Sequence, residues 1–316
     1  QFAEMYCSGV PFSRSVGGVT TYGSPLTTTQ MYDSALAHFD SALVYLTDAA
    51  DTAAVNLSRA TQIARARALM GRGGSSDATA ALAAIAGIPL NYAYALTFGD
   101  GTISNNGLAQ LNVLNNRVGV GDSINPDGST LPNALPFGSA GDPRVPVLGN
   151  SRLGQPNTSA GNNGAPWVRQ QIWTALLTPY NIVTGLDARL IQAEAQLKAG
   201  DIAGMMTTLN GLRATPPPLS TTYTPPAMAA LAVPATQEAA VRLFFREKAF
   251  WTFGRGQRQG DLRKLVRQWG PGPTPNIAAF SAGNVFPIGN YYSNNGLVDG
   301  TYAQTTGNPG EVTFSI

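Results

Sequence analysis

The sequence predicts a mainly α fold, built from helical hairpins joined by long ordered loops and holding little β structure. Three observations carry that expectation. Apolar residues recur at three- and four-residue steps in several separate segments. Short glycine-bearing turns join those segments in pairs, while most of the remaining Gly, Pro and Asn falls between the pairs. Finally, 43% of the 316 residues are hydrophobic, enough for a sizeable core in one chain. The organisation read from this is a single domain over 1–316: a helical part at 1–99, a loop-rich insert at 100–180 and a C-terminal part at 181–316.

The first clear helix spans about Thr28 to Thr47, with Met31, Ala35, Phe39, Ala42, Leu43 and Leu46 on one face and Thr28 or Thr29 supplying the N-cap oxygen. Ser58 to Gly71 reads as a second helix. After Gly71-Arg72-Gly73-Gly74 a third begins at Ser76 or Asp77, runs through Ala78, Ala81, Leu82 and Ile85, and is closed by Pro89. Facing alanines allow two helices to approach closely, so this pair reads as an antiparallel hairpin of the tetratricopeptide kind. The pattern returns downstream: Asp187 to Lys198, a turn at Gly200-Asp201, then Ile202 to Arg213. Ala66, Ala68 and Gly73 then correspond to Ala193, Ala195 and Gly200, an internal repeat split by a long insert.

From Asp100 to Pro166 the chain holds Asn-Asn-Gly, Asn-Pro-Asp-Gly and Asp-Pro-Arg, which is turn chemistry, with Leu111, Val113, Leu114, Val145 and Leu148 interspersed to anchor it. Pro216-Pro217-Pro218 and Pro225-Pro226 mark a rigid connector. Thr236 opens the most hydrophobic helix, in which Arg242, Arg246, Glu247 and Lys248 interrupt an apolar circumference; its burial requires those charges to be paired. Asp261-Leu262-Arg263 through Trp269 forms a short basic helix, and Trp173, Trp251 and Trp269 read as core.

Only 12% of residues are charged, the net charge is +2, and no block of Lys or Arg occurs, so the electrostatic footprint of a nucleic-acid binder is missing. One cysteine, Cys7, excludes an intramolecular disulfide and a cysteine zinc site, and a single histidine, His38, removes most histidine-centred catalysis. Both read as structural. A glycosidase would need two facing carboxylates, and the few glutamates sit mostly in helices; no Gly-x-Ser-x-Gly elbow or phosphate loop is present. Asp122, Asn125, Asp127 and Gly128 have calcium-ligand chemistry, but Asn-Pro-Asp-Gly is first of all a turn. The sequence thus points away from an enzyme and names no cofactor or metal.

The order of landmarks resembles the SusD/RagB-like nutrient-binding proteins of the bacterial outer membrane. Those landmarks are Cys7-Ser8-Gly9-Val10-Pro11, Pro25-Leu26-Thr27-Thr28 ahead of a helix, a tetratricopeptide-like hairpin, and Asp142-Pro143-Arg144 before the second hairpin. Glu247-Lys248 leading into Arg255-Gly256-Gln257-Arg258-Gln259-Gly260-Asp261-Leu262-Arg263 looks like the family's signature, and Phe286-Pro287-Ile288 and Asn308-Pro309-Gly310 match its C-terminal motifs. Departures are visible: Arg255 stands where the signature has Glu, Gln257 where it has His, and Gln259-Gly260 where two aromatics are common. The family also has more chain at the N-terminus, and Gln1 enters partway through a helix.

The resemblance implies a SusD-like fold in which Glu247, Arg258, Asp261 and Arg263 are structural, Glu247, Arg258 and Asp261 satisfying one another or helix ends in the interior. It further implies a lipoprotein at the outer-membrane cell surface that captures a glycan or peptide without catalysis and delivers it to a SusC-like TonB-dependent transporter, its lipid anchor lying outside this chain. Sugar rings stack on aromatic faces. Trp167, the pair Tyr291-Tyr292, and Tyr92 with Tyr94 are the candidate platforms on loop-like sequence. The other function the sequence allows is a structural or assembly protein whose hairpins and neutral surface pack against other copies or other surface proteins.

Overall fold

The computed structural model describes residues 1–6, 9–99, 104–115, 118–122, 135–148, 155–156 and 166–269. Its architecture is mainly helical. A short helix, α1 (Phe2–Met5), precedes four short strands: β1 (Val10–Pro11), β2 (Arg14–Val16), β3 (Val19–Thr21) and β4 (Pro25–Leu26). β2 and β3 form a hairpin around Gly17-Gly18, and β1 pairs antiparallel with β4. None of these strands carries an apolar alternation, which is why periodicity misses them.

Helix α2 (Thr28–Tyr45) starts at a capping box: the Thr27 hydroxyl accepts from the Gln30 amide while the Gln30 side chain accepts from the Thr27 amide. Helix α3 (Thr52–Arg72) begins earlier than its apolar pattern, because the Asp51 carboxylate accepts from the Ala53 amide and captures the extra turn. Helix α4 (Asp77–Ile85) follows after a left-handed Gly73 at φ +77°. Strand β5 (Ala93–Leu96) then crosses to the C-terminal half. Beyond it lie one π-helical turn (Ala109–Leu114) and the short strands β6 (Val147–Leu148), β7 (Gln155–Pro156), β8 (Pro166–Trp167) and β9 (Arg169–Gln170). Strand β10 (Tyr180–Thr184) pairs antiparallel with β5, with a register shift between Asn181 and Val183. All strands in the described residues pair only in twos.

The second helix pair, α5 (Gly185–Lys198) and α6 (Ile202–Ala214), turns at Gly200, again at φ +77°. The alanines of the expected repeat, Ala66, Ala68, Ala193 and Ala195, are all buried, Ala193 in a different apolar cluster from the other three. Helix α7 (Gln237–Trp251) and helix α8 (Arg258–Trp269) complete the chain described. Two apolar clusters form the interior. One gathers α2, α3 and α4; the other gathers α6, α7 and α8 with Trp173. Helix α5 belongs to both, giving Ala188, Ile191 and Ala195 to the first and Leu186, Leu190, Ala193 and Leu197 to the second. A helix apolar on all sides is one placed at the centre.

Val145 is buried and joins Val120, Val168 and Phe250 in a small third cluster, whereas Leu111, Leu114 and Leu148 are exposed. Cys7, the turn residues Asn125, Asp127 and Gly128, Phe286-Pro287-Ile288 and Asn308-Pro309-Gly310 lie outside the described residues.

Candidate functional site

The aromatic candidates separate. Tyr92 is a core residue, a correction to its reading as a stacking platform: it is 7% exposed, its hydroxyl donates to the Asn56 carbonyl at 2.5 Å, and the Arg59 guanidinium stands 6.0 Å from its ring centroid. Burial pushes its pKa up to about 12. Its neighbour Tyr94 is exposed on β5, opposite Val183 of β10. Alternation along an extended strand sends consecutive even positions to one side only if the strand is regular, and Tyr92 precedes β5, which explains the different fates. Trp167 is placed by its backbone in β8, paired with Gln155. Tyr291 and Tyr292 lie outside the described residues.

The charged signature is brought together with residues far from it. Glu247, on α7, receives the Arg144 guanidinium through Nη1 at 2.7 Å and Nη2 at 3.0 Å, and Arg213 of α6 through Nη1 at 3.1 and 3.2 Å. Arg144 also donates to Asp142 from Nε at 2.9 Å and Nη2 at 2.6 Å. Its guanidinium stands 5.2 Å from the Phe250 ring centroid and 5.0 Å from that of Trp251. Arg144 is 1% exposed, and a charge so buried is tolerable only with this many partners. Burial raises the pKa of Asp142, but the Arg144 hydrogen bonds and charge outweigh it and hold the carboxyl below its ordinary range.

Asp261 belongs to a different group from Glu247, so the expectation that Glu247, Arg258 and Asp261 satisfy one another is corrected for the two carboxylates, which meet different cations. Lys248 donates to Asp261 at 2.6 Å and to Glu194 at 3.3 Å, while Lys264 approaches the other Glu194 oxygen at 3.0 Å. Successive residues on α7 are turned by about 100° around the helix axis, so Glu247 and Lys248 reach different neighbours and each is neutralised there. Glu194 is completely buried; burial alone would raise its pKa, but the Lys264 and Lys248 ammoniums bring it to about 2. Arg258 is half-buried at the start of α8, and Arg263 donates from Nη1 to the Ala3 carbonyl at 3.2 Å, holding α1 in place.

Arg255 and Gln257, two of the positions at which the resemblance breaks, converge on one carboxylate. Asp187 completes the α5 capping box by accepting from the Thr184 amide at 2.7 Å, and its oxygens also receive Arg255 at 2.7 and 3.1 Å and Gln257 at 3.0 Å. Burial would raise Asp187, but Arg255 and these hydrogen bonds hold it low. Gly260, another departure, lies where a Cβ would come within 2.9 Å of the Glu4 side chain, so α1 can pack there only against a residue without one. Glu4 itself is bound bidentate by Arg67 of α3, at 2.8 and 2.5 Å.

Sequence reasoning singled out Asp142 and Arg144 only as landmarks, and it passed over Glu4, Arg67 and Asp187. One signal was available. Arg67 and Glu194 are the charged residues between the repeated alanines of α3 and α5, and a charge set within a buried small-residue stripe needs an interior partner. These groups hold fixed charges around neutrality and brace helices against one another. Among the described residues no cluster of His, Cys, Asp and Glu suited to a metal ion forms, and no helix is long and apolar enough to cross a membrane. Compared with known proteins, the chain matches no family model, no curated protein and no solved structure.

Proposed function

We propose that this chain is a non-catalytic cell-surface binding protein that captures a glycan or peptide nutrient and passes it to a TonB-dependent outer-membrane transporter. The observation that carries the reading is the use of the charged signature: Glu247, joined to Arg144 of the Asp-Pro-Arg landmark, ties the insert to α7 as a fold element rather than as chemistry. Two helix pairs closed by matching left-handed glycines support a tetratricopeptide-like, SusD-like arrangement. Only 12% of residues are charged and several of those are buried in pairs, a composition suited to a neutral ligand. In this reading Tyr94, Trp167, Tyr291 and Tyr292 remain the aromatic candidates, no cofactor or nucleic acid takes part, and the protein works at the outer-membrane surface.

The test is a glycan and peptide array combined with affinity capture of a barrel transporter. Binding of a defined saccharide or peptide, together with capture of the barrel, supports the reading. Absence of both, alongside ordered self-association, sinks it and favours assembly. One observation speaks for that second reading: every residue of β2 and β3 is exposed, with Val16 and Val19 70 and 69% accessible, and no other strand among the described residues pairs with either edge, which leaves them to another copy.

A further inference from the structure

A cleft of about 370 Å³ opens between α1, α2, α3 and β10, at the low end of the size that binds small molecules. Its floor is apolar and tightly packed: Ala3, Met31, Tyr32 and Ala68 are all buried. Phe2 and Phe12 form an exposed rim, and the half-buried Phe39 extends the aromatic wall. Ala35 and Ala64 also line it, and their small side chains leave space that larger ones would fill.

The polar equipment is sparse and specific. Arg67 lines the cleft with 29% of its side chain accessible, and it holds Glu4 through Nε and Nη2, leaving Nη1 without an acceptor among the described residues. The exposed His38, the half-buried Ser34 and the buried Tyr32 hydroxyl add polar groups from α2, and Gln1 adds its carboxamide. The ion pair is already neutral, so a second carboxylate would face Glu4, and an ammonium would face Arg67. A sugar would bring more hydroxyls than these few groups can satisfy, and each unsatisfied one costs desolvation. An apolar body carrying a single uncharged acceptor meets none of these penalties.

We infer that this cleft is a binding site for an apolar aryl or alkyl group bearing an amide carbonyl, the carbonyl accepting from Arg67 Nη1 and the apolar body lying between Phe12, Phe39 and Met31. The inference goes beyond nutrient capture and does not depend on it. Such a group can come from a free acyl amide or from the end of a peptide.

The experiment titrates the full chain by calorimetry and ligand-observed NMR with two probes, 4-phenylbutanamide and N-acetyl-Gly-Gly-phenylalaninamide. The controls are 4-phenylbutylamine, which lacks the acceptor, and maltose. Saturable one-to-one binding of either amide, with a Kd on the order of 0.1–1 mM for a ligand of this size, is the expected result, and the tighter of the two identifies the source. Ala35→Trp fills the cleft and should raise Kd at least ~tenfold, since it removes the space for the apolar body. Phe12→Ser, at an exposed rim position, should raise it about threefold through lost contact and carries the test should the tryptophan variant fail to fold. Absence of saturable amide binding overturns the assignment. So does an unchanged Kd in a folded Ala35→Trp or in Phe12→Ser, equal binding of the amine, or maltose that competes with the amides.

Discussion

Arg144 is buried against two aromatic rings and held by two carboxylates, one of them contributed by α7. Removing its partner leaves a guanidinium in the interior with half its charge compensation. Glu247→Gln is therefore expected to cost about 3–5 kcal/mol, measured by urea denaturation of the folded chain. In a cycle with Arg144→Met, the two changes should be strongly non-additive, with a coupling of about 1–3 kcal/mol; additive effects would mean that the pair is not an energetic unit. The two turn glycines offer a sharper comparison. Both Gly73 and Gly200 adopt φ +77°, so alanine at either is strained by about 1–2 kcal/mol. At Gly200 the added methyl meets nothing, whereas at Gly73 it would lie 2.6 Å from the Gln268 carboxamide. That carboxamide donates to the Met70 and Gly71 carbonyls at the end of α3 and also receives Lys198 of α5. Gly73→Ala should thus exceed Gly200→Ala by about 1 kcal/mol, and equal melting temperatures would show that Gln268 does not act as this clamp.

At the scale of elements, α5 is the helix on which the others are hung. Its first turn is fixed by Asp187, which serves at once as capping-box acceptor and as the partner of Arg255 and Gln257 from the α7–α8 connection. Asp187→Ala removes one half of the capping box and deprives Arg255 of its counter-charge, with the Ile182 carbonyl still accepting from it. The expected outcome is a loss of about 3–5 kcal/mol, with amide exchange accelerated first at the start of α5 and across the 255–258 turn and least in α6. Uniform acceleration would assign Asp187 to global stability only. Much of this element scale is legible in the sequence: the helices, the paired turns and the repeated alanines follow from local periodicity and glycine placement. The pairing of β5 with β10 is not, because each strand finds its partner across the whole insert and carries no alternation that names it.

At the scale of the whole molecule, the interior carboxylates link stability to acid. Glu194 is held at about 2 against an ordinary 4.5, and Glu4, Asp142 and Asp187 are also lowered. For a carboxylate whose folded pKa is depressed, the stabilisation is fully present above the unfolded value and is lost as pH falls through the folded one. Stability should therefore fall between about pH 4.5 and 2, with Glu194 alone accounting for on the order of 3 kcal/mol of the total loss. Glu194→Gln should flatten that limb while lowering stability at neutral pH, because Lys248 and Lys264 lose their shared counter-charge. An unchanged acid limb would contradict this assignment. The sequence by itself determined the mainly α character, the two helix pairs with their matching left-handed turns, and the presence of charges that had to be buried, since each depends on neighbours within a few residues. Which carboxylate each cation meets, the burial of Tyr92 against the exposure of Tyr94, and the cleft beneath α1 were decided only by the tertiary structure. Ion pairing and enclosure depend on groups distant in the chain, such as Arg144 with Glu247 or Glu4 with Arg67, and local sequence holds no record of that distance.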